Sequence, residues 1–170
     1  MTVDTDAVPS ITNQIATAIK DTLDLHLDEY IGRSQIRDLY YHFQPEVINA
    51  ALCPALGIYD QGWETTLETI RGRDGAGNLL PGMVENRYSF SLMVFVKGRK
   101  REDSLLVVNR LSDAVRACLQ NNFQLGGIPV NVVVRAGDPT GAVEEGSSVL
   151  RATELRVKID TWSLQGHTTF

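Results

Sequence analysis

Val84-Glu85-Asn86-Arg87-Tyr88-Ser89-Phe90-Ser91-Leu92-Met93-Val94-Phe95-Val96-Lys97 is the stretch on which the fold turns. Side chains alternate along an extended chain. Tyr88, Phe90, Leu92, Val94 and Val96 therefore fall on one side, and Arg87, Ser89, Ser91, Met93 and Phe95 on the other. The first row is apolar throughout. The second is polar at its start and apolar at its end, which predicts that something covers its far half.

Immediately downstream, Lys97-Gly98-Arg99-Lys100-Arg101 reads as a basic turn. Asp103 is the expected N-cap of a helix with Leu106 or Val107, Leu111, Ala114, Val115, Cys118 and Leu119 on one side. That helix ends near Asn121-Asn122, with Gly126-Gly127 as its breaker. Ile128–Val134 reads as a strand with Pro129 at its exposed start, and Ala136–Gly146 as a loop. Val149–Trp162 is the last strand, with Leu155, Val157 and Ile159 on one face. Glu154, Arg156, Lys158 and Asp160 make the opposite row, which must meet solvent or a charged partner.

Upstream, Ser10 is a good cap for an amphipathic helix of Ile11, Ile15, Ala18, Ile19 and Leu23, running to about Leu25. Ser34 opens a second expected helix with Ile36, Leu39, Tyr40 and Phe43, which Pro45 stops. Val47, Ile48, Ala51 and Leu52 suit one further helical turn. Pro54–Tyr59 reads as a buried strand entering a turn at Asp60-Gln61-Gly62, and Thr65–Arg71 as an edge strand. Residues 72–82 contain four glycines and Pro81, which predicts a loop that is mobile alone and ordered against a neighbour.

The order is helix, helical segment, three strands, helix, two strands. It predicts one α+β domain with an antiparallel or mixed β-sheet of about four to five strands and helices packed on one face. Residues 1–9 form a polar arm, 26–52 a helical insertion and 164–170 a polar tail. The 170 residues suit a single core, and the 43% of apolar residues are enough to fill it. No apolar run has the ~18 residues that a spanning helix needs, so no membrane partner is expected. The start lacks the basic and apolar regions of an export signal. The net charge of −5 argues against non-specific duplex binding, which needs Lys and Arg to displace counterions from phosphates.

The residues that could carry chemistry are few and scattered. His26, His42 and His167 match no short metal-ligand spacing. Asp74-Gly75-Ala76-Gly77-Asn78 lacks the third glycine and the following helix of a dinucleotide loop, and no Walker lysine is present. Ser147 lacks the second glycine of a nucleophile elbow. Cys53 and Cys118 lie in apolar settings and read as reduced core thiols. Carboxylates cluster at Asp24/Asp28/Glu29 and at Asp138/Glu144/Glu145, where the ordinary reading is a solvated face. Neither an enzyme nor a cofactor is expected. A small ligand-binding or enzymatic domain stays open as the alternative, to be recognised by His42, Asp60, Glu145 or a cysteine converging in one deep pocket.

Four pieces, in order, resemble the tail-terminator (tail-completion, neck) proteins of tailed bacteriophages. They are the opening helix, the strand Leu52-Cys53-Pro54-Ala55-Leu56-Gly57-Ile58-Tyr59, the strand–turn–helix closing in Leu125-Gly126-Gly127, and Glu145-Gly146-Ser147 with Ala152, Leu155, Val157 and Ile159 behind it. The resemblance implies a ring, a hexamer in that family, at the virion neck, assembled in the host cytoplasm. Its implied partners are its own copies, the tail tube, a head-side connector protein and the tail sheath, with genomic DNA passing through the lumen. It implies no cofactor and no catalytic residue. Another neck component, a head-completion or stopper protein, would look alike. Head-to-tail rings join two different patches of one surface. Arg99, Lys100 and Arg101 facing Asp138, Glu144 and Glu145 of a neighbour are the expected pair. Asp74, Asn78, Leu79 and Leu80 of the glycine-rich loop are further expected contacts.

Overall fold

The computed structural model describes residues 10–32, 40–43, 53–68, 75–77, 82–124, 130–137, 142–145 and 148–164. Its elements are α1 (Ile11–His26), a single 3-10 turn (Leu27–Glu29), β1 (Tyr40–Phe43), β2 (Ala55–Glu68), β3 (Met83–Gly98), α2 (Arg101–Asn122), β4 (Val130–Ala136), β5 (Ala142–Glu145) and β6 (Ser148–Leu164). The fold is α+β. Strands β2, β3, β6 and β4 form an antiparallel sheet, β1 joins it parallel to β2, and β5 pairs with the start of β6. The expected α+β arrangement, an antiparallel sheet with helices packed on one face, is what the chain forms, and the short strands β1 and β5 bring the count to six.

Strand β3 is the middle of this sheet. It pairs with β6 along all 16 of its residues and with β2 along most of them. Its phase is the one read from the sequence: Tyr88, Phe90, Leu92, Val94 and Val96 are all buried. They share a core with Leu56 and Ile58 of β2, Leu155, Val157 and Ile159 of β6, and Val134 of β4. Both helices cover this one face. The opposite face carries no helix among the described residues, yet Ala55 and Gly57 on it are buried. The residues for which cover was expected, Met93 and Phe95 at the far end of this row of β3, are half-buried.

Helix α1 starts where its cap predicts. The Ser10 hydroxyl accepts from the Asn13 N–H at 3.2 Å, and Ile15, Ile19 and Leu23 are buried beneath it. Full burial of each such side chain contributes roughly 1.5–3 kcal/mol. Helix α2 packs beside α1. Cys118 Sγ donates to the Thr22 carbonyl at 3.8 Å, and Asn122 Nδ2 donates to the Tyr30 hydroxyl at 2.9 Å.

Several expectations are corrected. Asp103 is not the cap of α2: Lys100 occupies that position in extended conformation, and Glu102 and Asp103 lie in the first turn. The buried side of α2 uses Ser104, Val108 and Leu111, while Leu106 and Val107 point outward. Asp60-Gln61-Gly62 does not end a strand. The Asp60 carboxylate accepts the Gly62 N–H at 2.7 Å, Gly62 takes φ +91°, and β2 runs on with one extra residue as a bulge. The expected helix from Ser34 is not what Tyr40–Phe43 forms. These residues are a strand held by β2, with Tyr41 opposite Leu56 and Phe43 opposite Ile58. Residues 33–39 and 44–52 of the expected insertion lie outside the described residues. The 136–146 loop contains β5.

Candidate assembly surfaces

The basic turn is built tightly. Strand β3 ends at Gly98, where a Cβ would lie 2.8 Å from the Ser104 Cβ, so only glycine lets the turn come this close to α2. Ser104 is fully buried, and its hydroxyl donates to the Arg101 carbonyl at 2.9 Å. Arg151 Nε of β6 reaches the same hydroxyl at 3.5 Å. This frame leaves Arg99, Lys100 and Arg101 exposed at one end of the sheet. Cations at a helix N-terminus oppose the macrodipole, and Glu102 and Asp103 in the first turn offset that cost.

Directly behind the turn, Leu105, Leu106 and Val107 are 42%, 61% and 39% exposed. Four consecutive apolar residues, 105–108, sweep about 300° of a helix, so one face cannot bury them all. That run is the signal that sequence periodicity alone passes over. Trp63 is also exposed, on the part of β2 beyond the bulge, with its ring 6.2 Å from that of Tyr88.

Of the expected contact residues, Glu144 and Glu145 lie on β5, opposite Val149 and Ser148 of β6. Val149 in turn lies opposite Gly98. The basic turn and the acidic strand therefore occupy the same end of one subunit, two strands apart. Asp138 and the loop residues Asp74, Asn78, Leu79 and Leu80 lie outside the described residues.

A second surface is the open face of the sheet. Arg87 Nε donates to Asp160 Oδ1 at 2.6 Å and Nη2 to Oδ2 at 3.1 Å, which raises the guanidinium's pKa further above its ordinary value. Asp160 is buried, so the last member of the charged row is an internal partner of β3 and not a solvent group. Glu154 accepts from the Ser91 hydroxyl at 2.8 Å and from Arg156 Nε at 3.2 Å. Arg135 of β4 stands opposite Arg156 of β6, and Lys158 opposite Val133.

A third surface is the C-terminal end of α1. Leu25 is 70% exposed there. Asp21, Asp24, Asp28 and Glu29 lie within four residues of it in sequence. Lys20 bonds Asp24 at 2.7 Å, which raises the lysine's pKa, and His26 Nδ1 contacts Glu29 at 2.9 Å.

The arrangement offers little for catalysis. Among the described residues, no group of three or more His, Cys, Asp and Glu could hold a metal ion. Among them also, no helix is long and apolar enough to cross a membrane. Burial pushes the Cys118 thiol up to about 11, the opposite of an activated nucleophile. Asp60 lies on a groove of about 320 Å³ with Thr12, Asn13, Phe43, Ile58 and Phe90, and no histidine or cysteine lines it among the described residues.

No protein-family model matches the chain, and no curated protein does. Among solved structures it is similar to the sheath/tube terminator of an extracellular contractile injection system in its extended state. That match has a TM-score of 0.46 and 18% identity, covering 91% of this chain and 61% of the other. This chain thus spans about three fifths of that protein's length. It is also similar to a chain in the virion of a native gene transfer agent particle, with a TM-score of 0.43 and 12% identity, covering 90% and 99%. Likenesses this weak do not carry a role from those proteins to this one.

Proposed function

We propose that the chain is a structural subunit of a phage-type tail, a terminator that assembles head to tail into a hexameric ring. In this reading the ring caps the tail tube in the virion, joins it to the head-side connector and lies beside the sheath where one is present. DNA passes through its lumen without being read. The subunit works by shape and association and performs no turnover.

The observation that carries this is the run Leu105-Leu106-Val107, exposed on a long helix beside a rigid basic turn. Contiguous apolar surface of this kind marks an interaction site more often than an accident of packing. The order of motifs that resembles the tail-terminator family supports the same reading. So does the sheet face that no helix covers among the described residues.

The test is the particle that the full chain forms. Negative-stain microscopy and sedimentation should find closed rings of one stoichiometry, and Leu106→Asp should dissolve them while leaving the circular-dichroism spectrum unchanged. A chain that stays monomeric at all accessible concentrations, or that shows turnover lost on changing one residue, would sink the reading.

A further inference from the structure

Two of the surfaces described above are complementary in charge and lie on opposite layers of the subunit. The first is the open sheet face around Arg135, Arg156 and Lys158. Arg135 and Arg156 are directly opposite across β4 and β6, and Lys158 is two places further along β6. Neighbouring strands lie about 4.8 Å apart and alternate residues about 7 Å, so the three cations share one small area. Like charges directly opposite on a sheet destabilise it. The acids beside them are already engaged, Asp160 by Arg87 and Glu154 by Ser91 and Arg156. Arg135 and Lys158 are exposed and form no hydrogen bond or ion pair with a described residue. Arg156 is paired with Glu154, so Arg135 and Lys158 are the two cations of this basic strip left without a described partner in a chain of net charge −5, and β4 is the outer strand at that side of the sheet.

The second surface is the acidic end of α1, where Leu25 is exposed and Asp21, Asp24, Asp28 and Glu29 lie within four residues of it in sequence, with Lys20 contacting Asp24 at 2.7 Å and Asp21 at 3.8 Å. It belongs to the helix layer, so within one subunit it is on the other side of the sheet from the strip. The basic turn is a poorer complement for it, because Glu102, Asp103 and the β5 backbone of Glu144 and Glu145 share that end.

We propose that the occupant of the basic strip is a second copy of this chain, seated through the acidic end of its α1. Asp21 and Asp28 meet Arg135 and Lys158, and Leu25 is covered in the contact. The contact joins two different patches, so it is heterologous and propagates from copy to copy. Its closure into a ring rests on the function proposed above. Nucleic acid is the weaker occupant. Among the described residues the exposed cations here are Arg135, Arg156 and Lys158, Arg87 beside them is held by Asp160, and phosphate binding scales with the number of phosphates neutralised.

The test uses the full chain in four forms: wild type, Arg135→Glu with Lys158→Glu, Asp21→Lys with Asp28→Lys, and all four changes together. Self-association is followed by sedimentation at low and high ionic strength. Each reversed pair should weaken association at low ionic strength by about tenfold or more, and the combined form should recover most of it. High salt should shrink these differences. Arg135→Gln with Lys158→Gln, which removes charge without reversing it, should fall between. Wild-type assembly that is unaffected by the reversals overturns the pairing and leaves the ring reading standing. A monomeric wild type overturns both. Loss of binding to a duplex oligonucleotide on reversing the strip, with association intact, would assign the strip to a polyanion and overturn the proposal.

Discussion

Arg87 and Asp160, 73 residues apart in sequence, meet in a two-point ion pair that bridges β3 and β6. The carboxylate is buried while the Arg87 side chain is about one-third exposed, so removing the carboxylate loses a two-point, charge-assisted contact between the two strands. Asp160→Ala should therefore destabilise the fold clearly more than Lys158→Ala, although the two belong to the same row of β6. The lysine is exposed, and its loss should stay within about 0.5 kcal/mol. Chemical denaturation of the two variants decides this, and equal losses would show that the ion pair is idle.

Phe90 and Leu155 are each at most 4% exposed on the core face. Phe90→Ala should cost about 3–5 kcal/mol and Leu155→Ala about 2–5 kcal/mol, the range for emptying well-packed sites. Leu106→Ala on the exposed side of α2 should change monomer stability by no more than about 0.5 kcal/mol. Urea midpoints of the three variants test the faces of β3, β6 and α2 together.

Gly98 lets the basic turn touch α2. A Cβ there would press on Ser104 Cβ at 2.8 Å and its Cα at 3.2 Å. Gly98→Ala should destabilise by about 1–3 kcal/mol, as overpacking does. Gly98→Ala combined with Ser104→Gly should recover part of that loss. A thermal melt of the single variant matching wild type would show that the approach is looser than described.

Burial holds Cys118 protonated, pushing its thiol up to about 11, and burial raises Tyr59 and Tyr88 in the same direction. An unfolded thiol titrates near pH 8.5. The folded state thus keeps a proton that the unfolded state loses, so stability is complete below about pH 8.5 and declines as pH rises toward 11. The thiol's share of the decline is about 2–3 kcal/mol. Urea denaturation at about pH 8 and about pH 10.5 should show the fall, and Cys118→Ala should make it shallower. An identical slope in the variant would assign the loss to other groups.

What the sequence made legible was whatever has a local cause. The Ser10 cap, the period-two rows of β3 and β6, and the end of α2 at Asn122 all follow from neighbours a few residues away. Long-range causes escaped it. Asp-x-Gly is turn chemistry in isolation, but pairing with β3 carries β2 through Asp60 and Gly62 as a bulge. Tyr40–Phe43 has helical spacing, and its parallel partner in β2 makes it a strand. Asp160 looks solvent-facing until Arg87 arrives from another strand. The apolar run 105–108 announces an exposed face without saying which residues form it. For the assembly surfaces, the basic turn was legible as a charge run. The Arg135/Arg156/Lys158 strip was not, because it exists only through the register of β4 against β6.

The full-length pairing of β3 with β6 also governs how the chain finds its fold. Its nearest rung joins Gly98 to Val149, 51 residues apart, and its farthest joins Met83 to Leu164, 81 residues apart. Helix α2 and strands β4 and β5 lie inside that closing loop. The entropy of closure is lost before any rung forms, so the central sheet is slow to nucleate, while the α2 helix needs only its own neighbours. A nascent chain therefore waits with β2 and β3 side by side and the β6 edge of β3 open. The last third of the sequence must emerge before that edge is sealed. Until then the half-built sheet is the species most prone to pair with another copy in the wrong way.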